Sequence, residues 1–250
     1  MRALVTGAAT GLAREVAIVL ARTGWFDHVA ITYRESSPDE VLARLAEAGV
    51  DASAHRVEFL GDESVVAAAL KVAMGDGPYD VLVHGVGPMT IARFEKSTSD
   101  DYREMFDGNV RSAVLAARAV LPGMRAGGFG RIVVFGMNGS SVTRPAKGLS
   151  LHLAAKSALV AFARTLALEE APNGITVNVV EPGDIRDKEL LRADALALSA
   201  GNPRGRPGTA EDVASAVRFL VDPANDFVTG AVLAVTGGLQ TASEPKAPQP

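Results

Sequence analysis

The stretch "LSLHLAAKSALVAF", residues 149–162, sets His152 four residues ahead of Lys156 in a segment whose apolar spacing predicts a helix. Four residues make about one helical turn, so imidazole and ammonium stand on one face. An adjacent ammonium disfavours a second positive charge, which moves a histidine pKa down from about 6.5. At neutral pH His152 is then uncharged: a poor source of a full proton, but able to accept one. It can also polarise a carbonyl by hydrogen bonding, as neutral histidine does in triosephosphate isomerase. The pair fits equally a helix that lines a binding site without reacting. His28, His55, His84 and His152 are scattered, with no metal-ligand spacing among them, and the chain has no cysteine. No metal centre, disulfide or thiol nucleophile is therefore expected.

A second stretch could hold a phosphate group. "VTGAATGLAR" (5–14) reads as a strand, a glycine turn and a helix start. Such a turn lets backbone N–H groups approach a diphosphate, whose charge the helix N-terminus favours. Gly7 and Gly11 permit the approach, Thr6 and Thr10 carry hydroxyls, and Ala13 stands where a third glycine is usual. At the end of the second strand, "ITYRES" (31–36) presents Tyr33 and Arg34 with no acid at the tip. A guanidinium there suits a 2′-phosphate, so NADP(H) is favoured over NAD(H), with Glu35 near enough to share the ribose.

These residues need a scaffold. β-branched runs at 3–7, 28–33, 81–86, 131–136, 175–180 and 231–235 alternate with segments of helical period at 12–24, 38–48, 62–73, 100–125, 151–170 and 210–221. Continuously apolar strands alternating with helices predict an α/β fold: one doubly wound parallel sheet with helices on both faces. No linker divides the chain, so residues 1–240 are read as one dinucleotide-binding domain. The charged, Pro/Gly-rich segment 186–209 is expected to be a mobile substrate-side excursion, and 241–250 a disordered tail. "EKSTSDDYREMF" (95–106) carries a helix-start signal.

A net charge of -4 without a long basic tract argues against nucleic acid as a partner. The N-terminus shows no signal-peptide pattern and no uninterrupted apolar stretch spans a bilayer, so a cytoplasmic protein without a membrane role is expected.

Together these segments resemble the short-chain dehydrogenase/reductase family, especially its 3-oxoacyl-carrier-protein-reductase-like members. The likeness runs nearly the whole chain, in order: "TGAATGLA" (6–13), "HGVG" (84–87), "GNVRS" (108–112), "GRIVVFG" (130–136), "NVVEPGDI" (178–185) and "VTGAVLAVTGG" (228–238). The resemblance implies a Rossmann-type fold, a nicotinamide cofactor and a small carbonyl or alcohol substrate. It also implies pairing of the helices near 108–122 and 151–169 into a homodimer or homotetramer. The cofactor would lie against Gly7, Thr10, Gly11, Leu12, Tyr33, Arg34, Gly85, Val86, Gly87, Lys156, Pro182, Gly183 and Ile185. The departures fall on the chemistry. His152 holds the place of the family's active-site Tyr, while Lys156 and Asn109 remain. Strand register puts Met137 at the catalytic Ser position, whereas counting back from His152 gives Gly139. Asn138, Ser140 or Ser141 could supply a polar group, and Ser140 is the choice. Asp187 replaces a Thr, Asp184 stands where the family is usually apolar, and His84 and Gly85 replace a pair of asparagines. The implied activity is an NADP(H)-dependent oxidoreductase with weak or altered catalysis, with His152 as base or polariser. The alternative is a non-catalytic NADP(H)-binding sensor or assembly subunit.

Overall fold

The computed structural model describes residues 1–185 and 187–239. Its elements are β1 (Arg2–Thr6), α1 (Gly11–Ala21), β2 (His28–Tyr33), α2 (Asp39–Glu47), β3 (Asp51–Arg56), α3 (Glu63–Ala73), β4 (Val81–His84), α4 (Ser99–Phe106), α5 (Ser112–Gly127), β5 (Gly130–Phe135), α6 (Ser150–Glu170), β6 (Ile175–Pro182), α7 (Arg192–Ala195), α8 (Ala210–Val221) and β7 (Val232–Val235). The strands form one parallel sheet in the order β3-β2-β1-β4-β5-β6-β7. Successive strand residues feed opposite faces. Leu4, Leu82 and Ile132 join a core with α3, α5 and α6, while Val5, Val83 and Val133 join another with α1, α2 and α8. Both faces are covered, which is why the strands carry no polar alternation.

The chain winds outward from β1 to β3, then returns to β4 on the other side of β1. The carboxyl ends of β1 and β4 therefore flank the switch point, where such sheets hold their ligands.

Two departures from the sequence reading matter. "DASAHR" forms β3, an edge strand with no apolar run. Beyond its backbone pairing with β2, it is held by polar pairs to β2 and to the turn after α3: His28 Nδ1 to Asp51 at 2.8 Å and His55 Nε2 to Asp76 at 2.6 Å. The single helical period at 100–125 divides into α4 and α5 around a π-helical turn at Asp107–Arg111, which buries Asn109.

Within 187–209, the described residues are tied to the body of the domain. Arg206 pairs with Asp212 through both nitrogens at 2.8 and 2.9 Å, Arg192 meets Asp212 at 3.2 Å, and Glu189 pairs with Arg14 of α1. The 241–250 tail lies outside the described residues. Among the described residues one helix, Ser150–Asn173, is apolar enough to cross a membrane by length and composition. It is a core helix here, packed on β6 with Lys156 buried within it.

Candidate active site

The bend after β1 is built from two glycines in the left-handed region, Gly7 (φ +65°) and Gly11 (φ +69°), which side-chain-bearing residues rarely adopt. The Gly7 N–H donates to Thr32 Oγ1 at 3.0 Å, fixing the bend to β2. The N-cap of α1 is Thr10, whose side chain makes no capping bond, and the first turn holds no acidic residue. The free N–H groups of that turn are thus left to an external anion.

Across the bend, Gly85 is forced by space. A Cβ there would fall on the Ala13 methyl and lie 2.6 Å from the Thr6 carbonyl oxygen. The two departures from the expected pattern are thus in contact: the Ala13 methyl occupies space beside Gly85 that a side chain there would need. Its neighbour His84 is buried in a closed chain of bonds. Gly85 N–H donates to Thr6 Oγ1, Thr6 Oγ1 to His84 Nδ1 at 2.9 Å, His84 Nε2 to Ser112 Oγ at 2.9 Å, and Ser112 Oγ to Gly108 O. Neutral imidazole with its hydrogen on Nε2 satisfies every step. Burial, aided by Lys156, lowers the His84 pKa to about 3, so His84 staples β1 and β4 to the π-turn and transfers no proton near neutral pH.

Two cavities meet at Gly7, Gly85 and Gly87. One, of about 270 Å³, is walled by Tyr33, Arg34, Val86 and the residues 57–60 that follow β3. Arg34 is half exposed there, with Glu35 at 3.6 Å and Glu58 at 3.8 Å from its Nε. The other cavity, of about 280 Å³, runs along Thr10, Gly11 and Leu12 to His152, Lys156 and Pro182. A cradle that added Cβ atoms would close, joined to a second chamber of similar size, fits a dinucleotide laid across the switch point.

At the inner end the Lys156 ammonium donates to the Phe135 carbonyl at 2.6 Å, and burial lowers its pKa to about 8. Gly87 leaves room for it: a Cβ there would sit 2.9 Å from Lys156 Nζ and 3.0 Å from Asn109 Oδ1. Asn109 donates to the carbonyls of Pro88 and Met105 at 3.0 and 2.9 Å, while its Oδ1 is buried without a partner. The His152 pKa falls to about 4, first through burial and then through Lys156, opposed by a hydrogen bond to the Pro88 carbonyl. Among the described residues, His152 Nδ1 is buried without a hydrogen-bond partner.

Three expectations need correction. Ser140 is not brought to the cavity: its buried hydroxyl donates to Glu181 Oε1 at 2.7 Å and accepts from the Met137 N–H. Buried Glu181 also takes the N–H groups of Gly139 (3.2 Å) and Ser141 (2.6 Å), which pins the loop and turns Ser140 inward. Ile185 packs on Gly208 and lines a separate cavity between α8 and β7. Gly183 lies against the backbone of Thr236, where its missing Cβ permits contact with the residue after β7, and it does not line the cofactor cavity. Sequence reading missed Met89 and Lys188 in the inner cavity and Glu58, Phe59 and Leu60 in the outer one. The latter follow the unrecognised β3, and Lys188 sits in a charged run without a motif. Among the described residues no group of His, Asp and Glu could hold a metal ion.

A family model described as enoyl-(acyl carrier protein) reductase matches residues 7–240. The 3-oxoacyl-[acyl-carrier-protein] reductase FabG of Pseudomonas aeruginosa is 33% identical over 95% of this chain and 96% of its own. The tetrahydroxynaphthalene reductase of Pyricularia oryzae is 30% identical over 94% of this chain and 88% of its own. Among solved structures, the acetoin dehydrogenase YohF of Salmonella typhimurium superposes with a TM-score of 0.85 at 28% identity, covering 97% of this chain and 98% of its own.

Proposed function

The chain belongs to the short-chain dehydrogenase/reductase family, an oxidoreductase acting on a carbonyl or alcohol, and on that premise we propose that it uses NADP(H) with His152 as the proton acceptor. The observation that carries the reading is the pair of joined cavities, with Arg34 at one end and His152 and Lys156 at the other. When bound, the cofactor supplies hydride exchange at its nicotinamide. Everything else falls to the chain. Gly7, Gly11 and the uncapped turn of α1 would hold the diphosphate, Arg34 the 2′-phosphate, and Lys156 the nicotinamide ribose.

At the reacting carbon, the uncharged His152 ring would accept the hydroxyl proton of an alcohol as the hydride leaves. Its low pKa makes it a better proton acceptor than donor. With Ser140 committed to Glu181, the substrate oxygen meets fewer donors than a Ser–Tyr pair would offer, which supports altered catalysis with oxidation the easier direction. The name of the Pseudomonas relative supports a 3-oxoacyl or 3-hydroxyacyl substrate. A homodimer or homotetramer and a cytoplasmic location remain parts of the same proposal.

Titration of nicotinamide fluorescence with NADPH and NADH tests the cofactor, and Arg34→Ala should reduce the preference for NADPH. Turnover of NADP⁺ with 3-hydroxyacyl thioesters tests the reaction. Binding of neither nucleotide to folded protein would overturn the reading.

A further inference from the structure

We infer that Lys188 is the cation that pairs with the cofactor's diphosphate, carried over the glycine bend by the loop that follows β6. The inference rests on the nicotinamide-cofactor reading above. Lys188 lines the inner cavity beside Thr10, Gly11 and Leu12. Its stem covers the bare face of Gly11: a Cβ there would lie 3.3 Å from Lys188 Cδ and 3.8 Å from Nζ. Gly11 thus lets the lysine lie directly against the bend, while its backbone angle already favours glycine.

Its acidic neighbours are occupied elsewhere. Asp187 Oδ1 accepts from the Glu189 N–H at 2.8 Å, and the Glu189 carboxylate pairs with Arg14. Among the described residues the Lys188 ammonium has no ion-pair partner. The Arg14–Glu189 pair also ties the loop to α1 one turn from the bend, so the position of Lys188 is not that of a free surface chain.

The electrostatics decide what the ammonium is for. Helices α4 and α8 each begin with a reciprocal Thr–Asp capping box and two acids in the first turn. Helix α1 has neither. A cation laid over an uncapped, positive helix end is unfavourable alone, and the arrangement becomes complementary only when an anion lies between them. A dinucleotide's diphosphate has the charge and the place.

The test uses the full chain and its Lys188→Met and Lys188→Arg variants, titrated with NADPH, with ADP and with adenosine 2′-monophosphate. Loss of a charge-assisted contact should weaken NADPH and ADP binding by about 10-fold or more in Lys188→Met. Adenosine 2′-monophosphate, which lacks the diphosphate, should bind Lys188→Met within about twofold of wild type, and Lys188→Arg should stay near wild type for all three. Added salt should weaken NADPH binding less in Lys188→Met than in wild type. Because Lys188 is exposed, the melting temperature should not move. Equal NADPH affinity and equal salt dependence in wild type and Lys188→Met would overturn the inference and leave the cofactor reading standing. Absence of NADPH and NADH binding in wild type would overturn both.

Discussion

His152 shows how far a residue's chemistry could be read from its neighbours in sequence. The depressed pKa was legible from Lys156 one turn away, but the larger cause, burial, depends on packing, and the opposing influence comes from the distant Pro88 carbonyl. As a base His152 must be unprotonated, which its pKa of about 4 ensures, while Lys156 loses its charge above about 8. Alcohol oxidation should therefore rise through pH 4, stay level, and fall above pH 8. Removing the base in His152→Ala should lower kcat by roughly 10²–10⁴-fold, and His152→Tyr should move the acid limb upward by several pH units. A kcat for His152→Ala close to wild type would remove the histidine from the mechanism. Ser140 gives the opposite lesson. Its direction is set by Glu181, 41 residues away, and no local spacing reports that. Ser140→Ala should cost about 1–3 kcal/mol in urea unfolding, because the bond is to a carboxylate. Its kcat should stay within a few-fold of wild type.

Among the elements, the strands and helices that bury apolar runs were visible in the sequence because burial dictates composition. Of those that were not, β3 and the π-turn are held by polar bonds and by insertion of one residue into a helix, and neither leaves a hydrophobic period. The close packing of α1 on the end of β4 is similar: two separate motif departures, Ala13 and Gly85, become intelligible only when their contact is known. That contact can be measured as a coupling. Gly85→Ala should be strongly destabilising in the wild-type background and less so in Ala13→Gly, with a coupling energy of about 1–2 kcal/mol by urea unfolding. Part of the cost should persist in the double variant, since the Thr6 carbonyl oxygen would still crowd the added methyl. Additive effects would mean that the two positions changed independently.

For the whole molecule, the buried bases set the dependence of stability on pH. His84 and His152 are held at about 3 and about 4, against 6.5 when exposed. Between those values the unfolded chain binds protons that the folded chain refuses, so their stabilising contribution is full above pH 6.5 and is lost as pH falls. Each histidine adds a slope that reaches about 1.4 kcal/mol per pH unit below pH 6.5, so stability should fall by about 3 kcal/mol between pH 6.5 and pH 5, a large share of a typical total of about 5–15 kcal/mol. Lys156 acts in the same sense at higher pH: held at about 8 against 10.5, it lets stability rise as pH climbs between them. Glu15, whose pKa burial raises, opposes the loss on the acid side. Urea unfolding at several pH values measures the slope, and His84→Asn separates its parts. An amide does not titrate and can still bond Thr6, so this variant should lose about half of the slope between pH 6.5 and pH 5, above the range where the carboxylates titrate. A slope unchanged by His84→Asn would mean that His84 is charged in the folded protein. The Thr6–His84 bond would then run from Nδ1–H to Thr6 Oγ1, the reverse of its direction with the neutral ring.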